Sequence, residues 1–255
     1  MAVLPVESSH TGTIQSTLDA LLDPANPQKL YVVGEFAHAE PHHLLTLSDQ
    51  VQLAEITEVR SHGEVLAQCS TFLNTQVPNA RLVVTIGTGA AAEEIKAQAD
   101  AKIACIAGDF AAKSYGLHTV AKDIANHKHT NFTRMWLISK SPAVPERHME
   151  PRTSVVVRLP NRPGALLRLI AAFSLRDVNV ARIESRPHTE SIIRAHSQWE
   201  YAMVLEVDGT PSVDPRVAQA LEHLNEFCNS VRVLGSYPRY LIDANFTQPM
   251  GLVGL

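Results

Sequence analysis

The amino-acid sequence predicts an α/β protein of two domains joined by an extended linker. Three observations lead there. Short β-rich runs alternate with helical patterns over the first part of the chain. The stretch SKSPAVPERHMEPRT, Ser139 to Thr153, is rich in proline and charge and poor in large apolar residues, as linkers are. Beyond it the order of the patterns changes. The divisions are residues 1–139, a linker at 140–152, a second domain at 153–240 and a tail at 241–255.

In the first domain AVLPV is a strand that ends at a turn. Gly12 to Leu22 reads as a helix, because Ile14, Leu18, Leu21 and Leu22 share one face. LYVVGEFAHAE and HLLTL are strand-like. ITEV leads into a helix from about Gly63 that carries Val65, Leu66 and Cys69 at helical spacing. RLVVTI, a helix from Ala90, KIACIA, a helix from Phe110 and the strand RMWLI complete the series. Such alternation argues for largely parallel pairing, with ligands beyond the carboxyl ends of the strands.

After the linker SVVVRLP is a strand, and Gly164 to Ser174 a helix with Leu166, Leu169, Ile170 and Phe173 on one face. VNVARIES and WEYAMVLEV are strands, with Tyr201, Met203, Leu205 and Val207 alternating in the second. Asp214-Pro215 opens a helix that buries Val217, Leu221, Leu224 and Cys228, and VRVLGSY closes the domain. The order βαββαβ is that of a ferredoxin-like plait.

Composition narrows the function. The 255 residues are 45% hydrophobic and 19% charged, ordinary values for a globular protein. A net charge of -4 leaves no basic footprint for nucleic acid, and the apolar runs are strand-sized, so neither nucleic acid nor membrane is an expected partner. No charged-then-apolar stretch precedes a small-residue cleavage site, so no signal peptide is expected. Three widely spaced cysteines, Cys69, Cys105 and Cys228, without any CxxC, read as free thiols in a reducing compartment. Cytoplasm is the expected location, with a plastid left open. The same reading argues against glycosylation at the sequon matches Asn131-Phe132-Thr133 and Asn245-Phe246-Thr247. Twelve histidines invite a metal hypothesis at His38, His42 and His43, or at His127 and His129. Pro41 breaks helical spacing between His38 and His42, and no cysteine joins them, so no metal is expected. No glycine-rich phosphate loop is present, so no cofactor is expected either.

Several short motifs carry chemistry in combination. In Asn161-Arg162-Pro163-Gly164 a rigid turn feeds a helix whose first N–H groups are unpaired, a place for a carboxylate. Glu184 and Arg186 add both signs of charge nearby. Equally, Pro-Gly only starts a helix there and the two charges form a surface pair. Thr133-Arg134 stands at the mouth of a strand, where the threonine is either an active-site hydroxyl or one bonded to backbone. Glu7 reads alone as a helix-terminus acid, and Gln68 as a solvated helix residue.

Together these stretches resemble the prephenate dehydratase family. PVESSHTGTIQSTLDALL is similar to a family segment through Pro5, Glu7, Ser9, Gly12, Ile14, Thr17, Asp19 and Leu21. SHGEVLAQC is similar through Ser61, His62, Leu66, Gln68 and Cys69, and GTGAAAEE through Thr88, Ala91 and Ala92. YGLHTVAKDIANHKHTNFTRM ends in the family's Thr-Arg pair, Thr133 and Arg134. NRPGALL, IESRP and LGSYPRY resemble an ACT module, an amino-acid-sensing plait.

The resemblance implies a two-lobed, periplasmic-binding-protein-like dehydratase domain followed by the ACT plait. The implied reaction removes carbon dioxide and the ring hydroxyl together from prephenate, giving phenylpyruvate for L-phenylalanine synthesis. Thr133 is the implied catalytic hydroxyl, with Arg134 orienting a carboxylate or balancing charge. Glu7, Ser8, Ser9, Gly12, Ser61, Gln68 and Thr88 are the implied substrate-binding residues. L-phenylalanine is the implied effector, at Asn161, Pro163, Gly164, Ala165, Leu166 and Leu167 with Glu184, Ser185, Arg186 and Pro187. Pairing through ACT domains implies a homodimer or homotetramer.

This sequence departs from the pattern at Ser8, where the family has Asn, at Gly87, where it has Ser, and at Met135, where it has Phe. It also lacks the family's glycine-rich opening segment, so the first lobe is expected to be incomplete. The returning chain around Lys122 to Ile138 is then expected to lack sheet neighbours. A non-catalytic phenylalanine-binding remnant and an arogenate dehydratase are the alternative readings.

Overall fold

The computed structural model describes residues 1–23, 29–39, 41–127, 131–145, 150–187 and 200–239. The chain divides into two compact units. One holds Ser8–His10 and His38–Thr133; the other holds Met1–Glu7, Thr11–Ala37 and the chain from Arg134 onward. Thr133 and Arg134 thus fall on either side of a division. The proposed tail at 241–255, His129 and the sequon at Asn245 lie outside the described residues.

The first of these units is a five-stranded sheet flanked by helices. Its elements in chain order are β4 (His43–Thr46), β5 (Glu58–His62), α2 (Gly63–Gln68), α3 (Ser70–Gln76), β6 (Arg81–Thr85), α4 (Thr88–Gln98), β7 (Ile103–Ala107), α5 (Asp109–Tyr115) and β8 (His118–Ala121). Strand order is β6-β5-β7-β4-β8. β5 runs parallel to β6 and β7, whereas β4 is antiparallel to β7 and β8. The sheet is therefore mixed and not largely parallel. β8 is four residues long and leaves little periodicity to read.

Alternation along the strands explains the layers. Leu44, Ala104 and Ile106 face a core with Val65, Leu66, Cys69 and Leu73 of α2 and α3. Their neighbours Leu45, Cys105 and Ala107 face Ala91, Ala92, Ile95 and Ala112 of α4 and α5. A central strand buried on both faces reads as a continuous apolar run, which is why IACIA is legible as one.

The other unit contains two sheets. β1 (Ala2–Ser8), β2 (Gly12–Thr13), β3 (Tyr31–Ala39) and β9 (Phe132–Ser139) pair in the order β2-β1-β9-β3, with helix α1 (Gln15–Leu22) following β2. The helix starts three residues after the predicted Gly12. Gly12 has φ +75 and begins β2, while Ile14 donates its N–H to the Val6 carbonyl at 2.9 Å. That hairpin contact competes with helix at the first residues and wins. β9 lies between β1 and β3, and its Trp136 and Ile138 are buried, so the chain around Ile138 does not lack neighbours as expected.

The plait follows as β10 (Arg152–Arg158), α6 (Ala165–Ser174), β11 (Val180–Pro187), β12 (Tyr201–Asp208), α7 (Pro215–Leu224) and β13 (Ser230–Tyr237). Its antiparallel order is β11-β12-β10-β13. Asp214 caps α7 by accepting the Arg216 N–H at 2.9 Å, with Pro215 in the first turn. One sheet face packs Val155, Val157, Leu205 and Val207 on the helices. The helix α6 presents Ala165, Leu169, Ala172 and Phe173 to that core, so Leu166 and Ile170, predicted on the buried face, are exposed instead.

The opposite sheet face is covered too. Val156, Ala202, Val204, Leu234 and Tyr237 pack with Val6, Leu18, Leu21, Val32, Trp136 and Ile138. Each Leu or Val buried there contributes roughly 1.5–3 kcal/mol. The sequence pattern places only the Tyr201, Met203, Leu205, Val207 set of β12 in the core. The alternate set is buried because β1, β3, β9 and α1 supply a second layer.

Candidate active site

Thr133 is the second residue of β9 and is buried, 6% exposed. Its hydroxyl makes no hydrogen bond among the described residues, unlike a strand threonine tied to backbone. The residues just before it are fixed from two sides. Ser9 donates its N–H to the Phe132 carbonyl at 2.9 Å, and its Oγ accepts the Phe132 N–H at 3.0 Å. Asn131 Nδ2 lies 3.0 Å from His42 Nε2 and 3.4 Å from Gln68 Oε1, while His42 Nε2 and Gln68 Oε1 are 2.8 Å apart.

Gln68 ends α2, where its Nε2 donates to Glu64 Oε1 one turn back at 3.3 Å and its carbonyl accepts the Asn126 N–H at 2.7 Å. It is a held residue and not a solvated one. The structure therefore brings Ser9 and Gln68 to the 131–133 stretch. It adds His42 and Asn131, which the sequence presents only as a metal candidate and as a sequon. The His-His pair at 42 and 43 carries the signal. His43 does something different, because its Nδ1 accepts the Asp123 N–H at 3.1 Å and its Nε2 faces Asp109 at 3.4 Å.

The other predicted residues of this unit are placed less directly. Ser61 is fully buried on β5 and donates to the Ile106 carbonyl at 2.8 Å, tying β5 to β7. Thr88 is the half-buried first residue of α4, and no hydrogen bond joins it to Thr133 among the described residues. Ser8 Oγ accepts the His10 N–H at 3.2 Å. Among the described residues no group of three His, Cys, Asp or Glu side chains is placed to hold a metal ion.

In the other unit Arg134 enters a cluster of charges. Its guanidinium meets Glu7 at 2.8 Å, Glu35 at 2.9 Å and Glu206 at 2.5 and 2.7 Å. Arg152 reaches Glu35 and Glu206 at 3.2 and 3.3 Å, and Arg182 reaches Glu206 at 3.2 Å. Glu206 is fully buried and Glu35 is 3% exposed. Burial pushes the Glu206 carboxyl up, but the hydrogen bonds and charge of Arg134, with Arg182 and Arg152, outweigh it and hold the group below its ordinary value. For Glu35 burial prevails over Arg134 and Arg152, and its carboxyl is raised. Glu35, Arg152, Arg182 and Glu206 are absent from the site that the sequence predicts. A lone carboxylate between Leu205 and Val207 is the signal that could have found them.

The effector candidates lie in the same unit. Gly164 caps α6 in the left-handed region at φ +79, and a Cβ there would meet nothing within 4 Å. Behind it Ala165 is buried, while Leu166 and Leu167 are 45% and 72% exposed; Asn161 and Pro163 are exposed in the preceding turn. Along β11 Arg182, Glu184 and Arg186 share one face, and Ser185 and Pro187 are exposed on the other. Glu184 and Arg186 do not pair with each other. Arg182 Nη2 donates to Thr13 Oγ1 at 2.7 Å, Thr13 Oγ1 donates to Glu184 Oε2 at 2.7 Å, and Arg186 makes a two-pronged pair with Asp19 at 2.7 and 2.8 Å.

The family model for prephenate dehydratase matches residues 1–143, and that for the ACT domain matches residues 153–225. The chain belongs to the prephenate dehydratase family. A relative from Arabidopsis thaliana, named arogenate dehydratase/prephenate dehydratase 2, chloroplastic, is 39% identical over 239 residues, which cover 93% of this chain and 61% of that protein. The chain spans about three fifths of the length of this and similar relatives. A crystal structure of prephenate dehydratase in complex with L-Phe from Arthrobacter aurescens superposes with a TM-score of 0.79 at 33% identity, covering 99% of this chain and 78% of that one. A protein described as a novel type of quorum-quenching acylase, GqqA, superposes with a TM-score of 0.78 at 26% identity, over 93% and 81% of the two chains. The α/β architecture is thus that of family members, a periplasmic-binding-protein-like domain followed by an ACT plait. Because the same fold also carries an acylase, activity has to be argued from the site.

Proposed function

We propose that the chain catalyses the decarboxylating dehydration of prephenate to phenylpyruvate, regulated by L-phenylalanine at the ACT plait. The observation that carries this reading is the hydroxyl of the largely buried Thr133, unengaged among the described residues, next to a stretch held by Ser9 on one side and by His42 and Gln68, through Asn131, on the other. In the reaction the ring carbon's bond to its carboxylate breaks, and that electron pair becomes ring π density. The ring C–O bond breaks with its own pair, and the departing hydroxide takes a proton to leave as water. Aromatisation supplies the driving force, so no general base is needed. Threonine is a weak acid, and Thr133 acts by a hydrogen bond that strengthens as negative charge grows on the leaving oxygen. The Gln68 amide, with one N–H given to Glu64, supplies a neutral donor for a substrate oxygen without bringing a buried charge. Ser8, Ser61 and Thr88 are the further residues of this unit in the proposed binding set.

Phenylpyruvate formation by the purified chain tests the reading. Thr133→Ala is expected to lower kcat about 100-fold or more with little change in KM, and Thr133→Ser to retain most activity. An alanine variant that turns over at the wild-type rate sinks the assignment. The double name of the Arabidopsis relative favours arogenate as a second substrate, and the same assay run on arogenate reads phenylalanine directly. A chain that binds phenylalanine yet converts neither substrate is the non-catalytic remnant.

For regulation, the exposed turn at Asn161 to Gly164 and the open N-terminus of α6 suit an amino-acid carboxylate. Glu184 and Arg186 take part through contacts already made to Thr13 and Asp19. Exposed Leu166, Leu167 and Ile183 support pairing of two ACT plaits, and sedimentation-equilibrium mass with and without phenylalanine reads that state. Burial pushes the Cys69 and Cys105 thiols up to about 12, in keeping with unreactive free thiols and a cytoplasmic or plastid setting. Among the described residues no helix is long and apolar enough to cross a membrane.

A further inference from the structure

We propose that Arg134 is a positioning residue and not a substrate ligand, and that Glu206 of the ACT sheet holds it and, through it, Thr133. This rests on the dehydratase reading above. The first ground is donor arithmetic. A guanidinium has five N–H donors. In Arg134, Nε donates to Glu7 Oε2 at 3.1 Å and Nη2 to Glu206 Oε1 at 2.7 Å, and Nη2 also lies 2.8 Å from Glu7 Oε2 in an ion pair. Nη1 donates to Glu35 Oε2 at 2.9 Å and Glu206 Oε2 at 2.5 Å. Four of the five are engaged in hydrogen bonds, and the nitrogen that carries the fifth lies against the Glu7 carboxylate, so a substrate carboxylate would have to displace Glu7.

The second ground is charge. Arg134, Arg152 and Arg182 are matched by Glu7, Glu35 and Glu206, and Arg152 also lies 3.5 Å from Asp208. The cluster has no surplus positive charge with which to draw a dianion. For Arg134 to turn to substrate it would have to leave a fully buried Glu206.

The third ground is strand geometry. Successive residues of a strand point to opposite faces, so Thr133 and Arg134 cannot address the same side of β9. Arg134 shares its face with Trp136, which packs with Val156 and Val204 of the ACT sheet. Its bidentate pair with Glu206 fixes the start of β9 in place, and the peptide bond passes that constraint to Thr133.

Full-length Arg134→Lys, Arg134→Met, Glu206→Gln and the Arg134→Met/Glu206→Gln double variant test this against wild type. Lysine keeps the charge and loses the fork. Positioning predicts that kcat falls about tenfold or more in the lysine and glutamine variants while KM for prephenate stays within about twofold. It also predicts that the double variant is no worse than Arg134→Met alone. Direct binding predicts the opposite pattern, a large rise in KM in both Arg134 variants with kcat and KM of Glu206→Gln unchanged, and that result overturns the proposal. A second readout does not depend on turnover: the NMR resonances of the Thr133 methyl and amide should shift in Glu206→Gln. Unmoved Thr133 signals overturn the proposal even if Arg134→Met fails to fold. Should wild type convert neither prephenate nor arogenate, the function reading falls by itself and the Thr133 resonances alone decide the positioning.

Discussion

Two buried carboxylates in one cluster titrate in opposite senses, which makes the acid behaviour of the protein readable residue by residue. Glu206 is held below 4.5 in the folded chain, so its contribution to stability is complete above the unfolded value and is lost as pH falls through the folded one. Glu35 is raised above 4.5, so the folded state takes up its proton first and that step favours folding as pH falls. From pH 7 downward, stability is expected to rise slightly and then drop, by at most about 1.4 kcal/mol per pH unit for each proton. Glu35→Gln should abolish the rise and Glu206→Gln should flatten the drop; urea midpoints measured across that range check both, and identical profiles for the two variants would refute the assignment. The thiols make a second case. Cys69 and Cys105 are buried and pushed up to about 12, whereas Cys228 is half-buried and pushed up to about 11. Cys228 is expected to react first with a thiol reagent in the native protein, with the other two labelled only on unfolding; mass spectrometry of timed samples reads the order.

Among elements, β13 and β3 make an unusually close approach. A Cβ built on Gly235 would overlap the Val32 carbonyl oxygen and lie 3.0 Å from the Val32 nitrogen. Both partners are backbone and cannot yield as a flexible side chain would. Gly235→Ala should therefore cost at least about 1–3 kcal/mol, read as a lower unfolding midpoint, while an alanine at Gly89, with open space around it, should cost far less. The cap of α7 is a milder feature: Asp214→Ala should cost about 1 kcal/mol, and Asp214→Asn should recover most of it. Elements with strong periodicity or punctuation are legible in the sequence, among them IACIA, the Asp214-Pro215 helix start and the order of the plait. Gly12 reads as helix because the apolar spacing of Ile14 and Leu18 fits one, whereas a hydrogen bond from Ile14 back to Val6 decides for a strand.

For the whole molecule, the face of the plait sheet away from its helices is buried against α1, β1, β3 and β9. A chain cut to residues 150–239 exposes Val156, Val204, Leu234 and Tyr237, and should bind a hydrophobic dye and associate, unlike the intact protein. Light scattering and dye fluorescence measure this; a monomeric, dye-silent fragment would show that the second layer is dispensable. The sequence by itself determined the α/β class and the plait order, and its local motifs suggested Thr133 with Ser9 and Gln68 as a candidate site. Those features are written in neighbouring residues, where spacing and punctuation act. Only the tertiary structure decided that β9 lies inside a sheet, that His42 and Asn131 join Gln68, and that Arg134 pairs with Glu7, Glu35 and Glu206. Its partners come from strands 72 to 127 residues away, and no local pattern announces which carboxylate a buried guanidinium will meet.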